Sequence, residues 1–178
     1  MKNQLISLWH EYRPAALFLA RFLSIYVLGN VLYGLWIVSY GTAADPFTVL
    51  VTQHAAGLLR VISFEAAAVA SSQAPNVALQ LAGVTVVRVF EGCNAINVSV
   101  LFLAFLVAYK GSWARTVVFG LVGLLLIYLF NLLRVAGLFL VAKFYPDQLY
   151  LMHKFVFTGV IYAFVFALWY LWATRYAR

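Results

Sequence analysis

Four long apolar runs dominate this chain of 178 residues, and they commit it to a lipid bilayer. Crossing a hydrocarbon core takes about 20 apolar residues as a helix. The runs extend over about residues 15–39, 94–109, 116–142 and 155–172. Composition agrees, because 66% of the residues are hydrophobic, 10% are charged and the mean hydropathy is +0.96. A soluble domain of this length cannot hide that much apolar surface. The expected fold class is an all-α integral membrane protein with four transmembrane helices, forming a single membrane-embedded domain over residues 1–178. Pro14 stands before the first run, where the first turn of a helix tolerates it. That run is too long for a signal-peptide core and no small-residue cleavage site closes it, so it reads as an anchor. Arg21 snorkels near its start, and the short second run borrows Lys110 as a snorkelling end.

The formal charge of +7 invites a nucleic-acid reading, but the twelve cations are scattered between apolar runs and form no basic face. They serve better as flanks that orient helices. Lys2 and Arg13 precede the first run, Lys110 and Arg115 bracket the tight turn between the second and third, and Arg175 and Arg178 close the chain. Placing all of these inside puts both termini in the cytoplasm, and the expected location is the cytoplasmic (inner) membrane. Residues 40–92 and 143–154 then lie outside, carrying Arg60, Arg88, Lys143 and Lys154.

The long outer segment has its own pattern. Phe47, Leu50, Val51, Ala55, Leu58 and Ile62 fall on one helical face, away from Thr48, Gln53 and Arg60. This predicts an amphipathic helix lying flat on the outer leaflet. Residues 71–76 read as a loop. From Val77 to Phe90 the period changes to two around Ala82-Gly83, which predicts a short β-hairpin delivering the chain to Cys93.

Three residues then fall at one membrane face. Arg134 lies 19 residues beyond Arg115, roughly 28 Å of helix at ~1.5 Å per residue, near the outer boundary yet inside an apolar run. Such an arginine is expensive and normally kept for a partner or a pathway. Asn131 sits one turn earlier on the same side. Cys93, the single cysteine, lies in Glu91-Gly92-Cys93-Asn94-Ala95 where the second run opens, and a helix start favours a thiolate. His153 opens the fourth run and can carry a proton near neutrality. Each has a plainer reading alone: a snorkelling arginine held by an asparagine, a small apolar filler, an interfacial polar residue. Of the other two histidines, His10 falls inside and His54 on the flat helix. The coincidence carries the inference, since a thiol, an acid/base and a fixed cation suffice for acyl transfer through a thioester. No metal site is expected, because no ligand pair has suitable spacing. There is no Gly-x-Ser-x-Gly elbow and no phosphate loop.

Glu91-Gly92-Cys93-Asn94-Ala95, Asn131-Leu132-Leu133-Arg134-Val135 and His153, in this order against the apolar runs, resemble the exosortase/archaeosortase family of membrane transpeptidases. The resemblance spans most of the chain from Tyr26 onward, Asp45-Pro46 included, and is greatest to the exosortase F branch. Larger members carry further N-terminal helices not found in these 178 residues. The resemblance implies that Cys93 is the nucleophile, Arg134 the stabilising cation and His153 the acid/base, with Asn131, Asn97 and Glu91 as supporting groups and no cofactor. The partners it implies are exported proteins ending in a short motif, a transmembrane helix and a basic tail, cleaved at the outer face. A non-enzymatic membrane adaptor or assembly factor for envelope proteins, using the polar spot as a docking site, is the alternative.

Overall fold

The computed structural model describes residues 2–109 and 111–177, with side chains from residue 11 onward. Lys110 and Arg178 therefore lie outside the described residues, as do the side chains of Lys2 and His10. The chain is mostly helical, at 74%. Its order is α1 (Lys2–Val38), α2 (Pro46–Val61), β1 (Ala66–Ala70), β2 (Asn76–Leu81), β3 (Val84–Phe90), α3 (Ile96–Ala108), α4 (Trp113–Phe144), α5 (Leu149–Leu151) and α6 (Phe157–Leu171).

Three described helical runs are long and apolar enough to cross a membrane: Glu11–Val38, Trp113–Phe144 and Pro146–Tyr176. The four expected spans are thus three by length, because α3 has only 13 residues, about 20 Å at ~1.5 Å per residue. It is nonetheless the hub of the bundle, touching α1, α4 and α6. Ring contacts give the directions. Phe18, early in α1, lies 5.5 Å from Phe105, late in α3, whereas Tyr33, late in α1, bonds Asn94 just before α3. Phe105 stacks on Trp169 of α6 at 4.4 Å, and Phe119, early in α4, meets Trp172 at 5.2 Å. Hence α3 and α6 run parallel to each other and antiparallel to α1 and α4. Phe102 fills the centre, so close to Gly123 that a Cβ there would lie 2.2 Å from the ring. Only glycine lets α3 and α4 approach that far.

Pro14 departs from expectation, since it lies inside α1 rather than in its first turn. Proline already has helical φ, and a helix that continues past it forfeits a hydrogen bond but keeps its packing.

The second departure is α2. Asp45 caps it by accepting from the Phe47 and Thr48 amides, each at 3.0 Å, and Pro46 takes the first turn. Its buried face is Thr48, Val51, Thr52, Ala55, Ala56 and Leu59, packed on α4, β1 and β2, while Phe47, Leu50 and Ile62 are exposed. The helix is therefore packed against the rest of the protein, with the expected apolar stripe divided between its buried and exposed sides. Its threonines reach the interface because their hydroxyls are satisfied locally, Thr52 Oγ1 donating to Thr48 O at 2.7 Å.

The period-two segment is a three-stranded antiparallel sheet ordered β1-β2-β3, one strand wider than the expected hairpin. β1 is the short alanine-rich stretch Ala66–Ala70, whose sequence has no clear alternation. β2 and β3 turn at Ala82-Gly83, both with positive φ (47° and 81°), as a two-residue hairpin loop requires. One apolar cluster joins α2, the sheet and the late part of α4; another joins α3, the early part of α4 and α6. Cys93 belongs to the first and Ala95 to the second, so the segment between β3 and α3 sits at their junction.

Candidate functional site

Between β3 and α3 the chain makes a single 3-10 turn, Glu91–Cys93, and then a sharp corner at Ala95, whose φ of 64° is left-handed. Alanine pays roughly 1–2 kcal/mol there, and something must hold it. Asn94 does. Its Oδ1 accepts from the Ile96 amide at 3.0 Å, and its Nδ2 donates to Tyr33 Oη at 2.7 Å and Thr48 Oγ1 at 3.2 Å. Asp45 Oδ1 lies 3.4 Å from the same nitrogen. The segment is thereby pinned to α1 and α2 at once. Sequence reasoning gave Asn94 no role and treated Asp45 only as part of a motif. The signal was there: an aspartate before proline and an asparagine after cysteine are both local capping residues.

The pinned corner aims Cys93 at α4 and at the start of the last helical run. Cys93 is 4% exposed, and its Sγ lies 3.5 Å from His153 Nε2. His153 does not open its helix, as expected. It lies within a π turn, Met152–Val156, in a helical run that begins at Pro146. The widened turn is sealed by Thr158 Oγ1, which donates to His153 O at 2.9 Å. Such turns redirect one side chain within an otherwise regular helix and recur at functional sites.

Asn131 and Arg134 complete the group from α4. Asn131 is wholly buried; its Nδ2 donates to Cys93 O at 2.9 Å, and its Oδ1 accepts from Arg134 Nη1 at 3.3 Å. Arg134 is 7% exposed, and its buried Nε has no hydrogen-bond partner in the structure. A buried guanidinium with an unmet donor is costly. Burial pushes the Cys93 thiol above its ordinary pKa; Arg134 and a hydrogen bond from the Phe90 main chain pull the other way, and Glu91 adds to the rise. At rest the pair is best described as a thiol beside an imidazole, the thiolate forming as the proton moves.

The other expected residues fall less centrally. Glu91 is half-buried and acts on Cys93 through its charge, whereas Asn97 is exposed at the start of α3. Gly92 is needed by the protein's own packing, since a Cβ there would lie 2.6 Å from the Phe90 ring. His54 turns to α4 instead, its Nδ1 2.6 Å from Tyr128 Oη. Among the described residues no group of three potential ligands could hold a metal ion. A groove of about 510 Å³ opens beside the pair, between β3 on one side and Leu138, Leu149 and Tyr150 on the other, with Cys93 and His153 in its wall.

Fold and site together define a multi-pass helical membrane protein with a buried cysteine touching a half-buried histidine, and an under-bonded arginine, at one end of its bundle. The family description that matches, over residues 7–173, is transmembrane exosortase, and the chain belongs to that family. No curated protein and no solved structure gives a significant match.

Proposed function

We propose that this chain is a thiol-dependent membrane transpeptidase that cleaves C-terminal sorting signals from exported proteins at the outer face of the cytoplasmic membrane. The observation that carries the reading is the Cys93–His153 contact at 3.5 Å, supported by Arg134, which bonds the Asn131 that holds Cys93 and keeps an unmet donor. Membership of the exosortase family agrees with it. The whole chain acts as one membrane-embedded unit. Its termini and the Arg13, Arg115 and Arg175 ends of the helices face the cytoplasm, which sets the cysteine end outside.

The chemistry follows from the contacts. His153 Nε2 takes the Sγ proton as the sulfur attacks the scissile carbonyl, and the carbonyl π electrons become an oxyanion. Arg134 supplies the fixed positive charge for it, held in place by Asn131. Collapse breaks the C–N bond, and His153 returns its proton to the leaving amine. The resulting thioester is resolved by an amine, a hydroxyl or water, which regenerates the thiol. Cys93→Ala, Arg134→Ala and His153→Ala should each leave full-length substrate uncleaved in the membrane. Normal processing by Cys93→Ala would sink the mechanism and favour the adaptor reading, in which only Arg134 variants disturb a complex.

A further inference from the structure

The groove beside Cys93 has an unusual wall. Five successive residues, Val86 to Phe90, line it. Side chains alternate between the faces of a strand, so a cavity touched by five in a row runs along the strand's edge and not over one face. β3 is an edge strand, with β2 its one partner among the described residues.

The register shows which main-chain groups face that edge. In an antiparallel ladder, hydrogen-bonded and non-bonded pairs alternate. Outward from the Ala82-Gly83 loop, Leu81↔Val84 is bonded and Gln80↔Thr85 is not; a bulge then sets Val86 and Val87 against Leu79. Ala78↔Arg88 is again non-bonded, Val77↔Val89 bonded and Asn76↔Phe90 non-bonded. Thr85, Arg88 and Phe90 therefore aim their N–H and C=O away from β2. Phe90 is the last residue of β3 and leads directly into the Glu91–Cys93 turn, so it closes this edge. Thr85 lies beyond the groove, which leaves the Arg88 pair as the free edge within it.

Resting on the transpeptidase reading, we infer that the substrate's cleavage segment adds to the free edge of β3 as a fourth strand, paired to the main chain of Arg88. Three features choose this occupant. The groove is continuous with the Cys93–His153 pair, it offers a donor and an acceptor at strand spacing, and its far wall of Leu138 and Leu149 is apolar. Its volume, about 510 Å³, suits a few residues of extended peptide rather than a folded partner. From Arg88 to Cys93 the chain advances by five positions, so pairing at Arg88 brings the next residues of the bound segment to the sulfur. Selectivity would then come from apolar side chains at alternate positions, the main chain providing affinity, as in other strand-addition sites.

The test uses cells of the source organism. Exported proteins whose C-termini are processed in wild-type cells but not in Cys93→Ala cells define the substrate set by mass spectrometry. Arg88→Pro removes the free N–H and crowds the edge without touching the ladder to β2. It should slow processing of that set by about tenfold or more, as loss of one to two hydrogen bonds implies, while Cys93 stays alkylable. Thr85→Pro, of the same parity but outside the groove, should process near the wild-type rate. Arg88→Ala should lose clearly less than Arg88→Pro. Leu149→Trp, which fills the groove from the opposite wall and leaves the sheet intact, should match the proline and answers the case in which Arg88→Pro does not accumulate. Wild-type processing by Arg88→Pro or by Leu149→Trp overturns the inference, as does an Arg88→Ala loss equal to the proline's. Undiminished processing in Cys93→Ala cells instead overturns the transpeptidase reading, and the strand proposal falls with it.

Discussion

Asn131 is the residue whose removal has the most calculable consequence. It is wholly buried, gives one hydrogen bond to Cys93 O and receives one from Arg134 Nη1. Asn131→Leu keeps the branching of the side chain and strands both partners. Each buried group left without a partner costs about 1–3 kcal/mol, so the pair costs about 2–6 kcal/mol. In a chain of this size that corresponds to a fall in Tm of about 5–20 °C. The assay is a melting curve in detergent or nanodiscs followed by tryptophan fluorescence, since Trp172 is wholly buried in the folded protein. Asn131→Asp separates the two bonds. It retains an acceptor for Arg134 and loses the donor to Cys93, so its Tm should lie between those of Asn131→Leu and wild type. An Asn131→Leu melting curve within about two degrees of wild type would refute the view that this side chain ties α4 to the cysteine, since it would imply under about 1 kcal/mol for two buried bonds.

Because burial raises the Cys93 thiol, its thiolate fraction is small at neutrality and grows with pH, and the iodoacetamide rate should rise on the alkaline side of that of an exposed cysteine. Arg134→Gln, which removes a lowering charge, should move the curve further alkaline, and Glu91→Gln should move it back; a shift of Arg134→Gln toward acid contradicts the assignment. Gly123→Ala drives a Cβ into the Phe102 ring and should cost about 1–3 kcal/mol, whereas Gly34→Ala meets nothing within 4 Å and should melt like wild type. Ala95→Gly should relieve the left-handed corner and hold or raise Tm, and Ala95→Val should lower it by several degrees.

The site was more legible in the sequence than the scaffold that holds it. Apolar runs and cations placed Cys93, Arg134 and His153 at one end of the bundle, because membrane helices translate residue count directly into depth. The spacing of Asn131 and Arg134 likewise foretold a shared side and a contact. What escaped was whatever depends on non-local pairing. The alanine-rich β1 has no periodicity of its own and becomes a strand only by lying against β2. The buried face of α2 includes Thr48 and Thr52, which a hydropathy stripe rejects, because their hydroxyls are satisfied within the helix and by Asp45. Equally hidden were the π turn at His153, which no composition marks, and the Asn94 cluster, whose members Tyr33, Asp45 and Thr48 stand 61, 49 and 46 positions away.

The bond from Asn131 to the cysteine is made to the carbonyl oxygen of Cys93 and not to its sulfur. The frame around the reactive atom is thus indifferent to what that atom is. Serine or alanine at position 93 should leave the Asn131 brace, the Asn94 anchor and the open groove as they are, with the proposed chemistry alone removed. On the transpeptidase proposal such variants should act as a trap, a fully assembled receptor that holds its peptide without consuming it, suited to capturing the complex for structure determination.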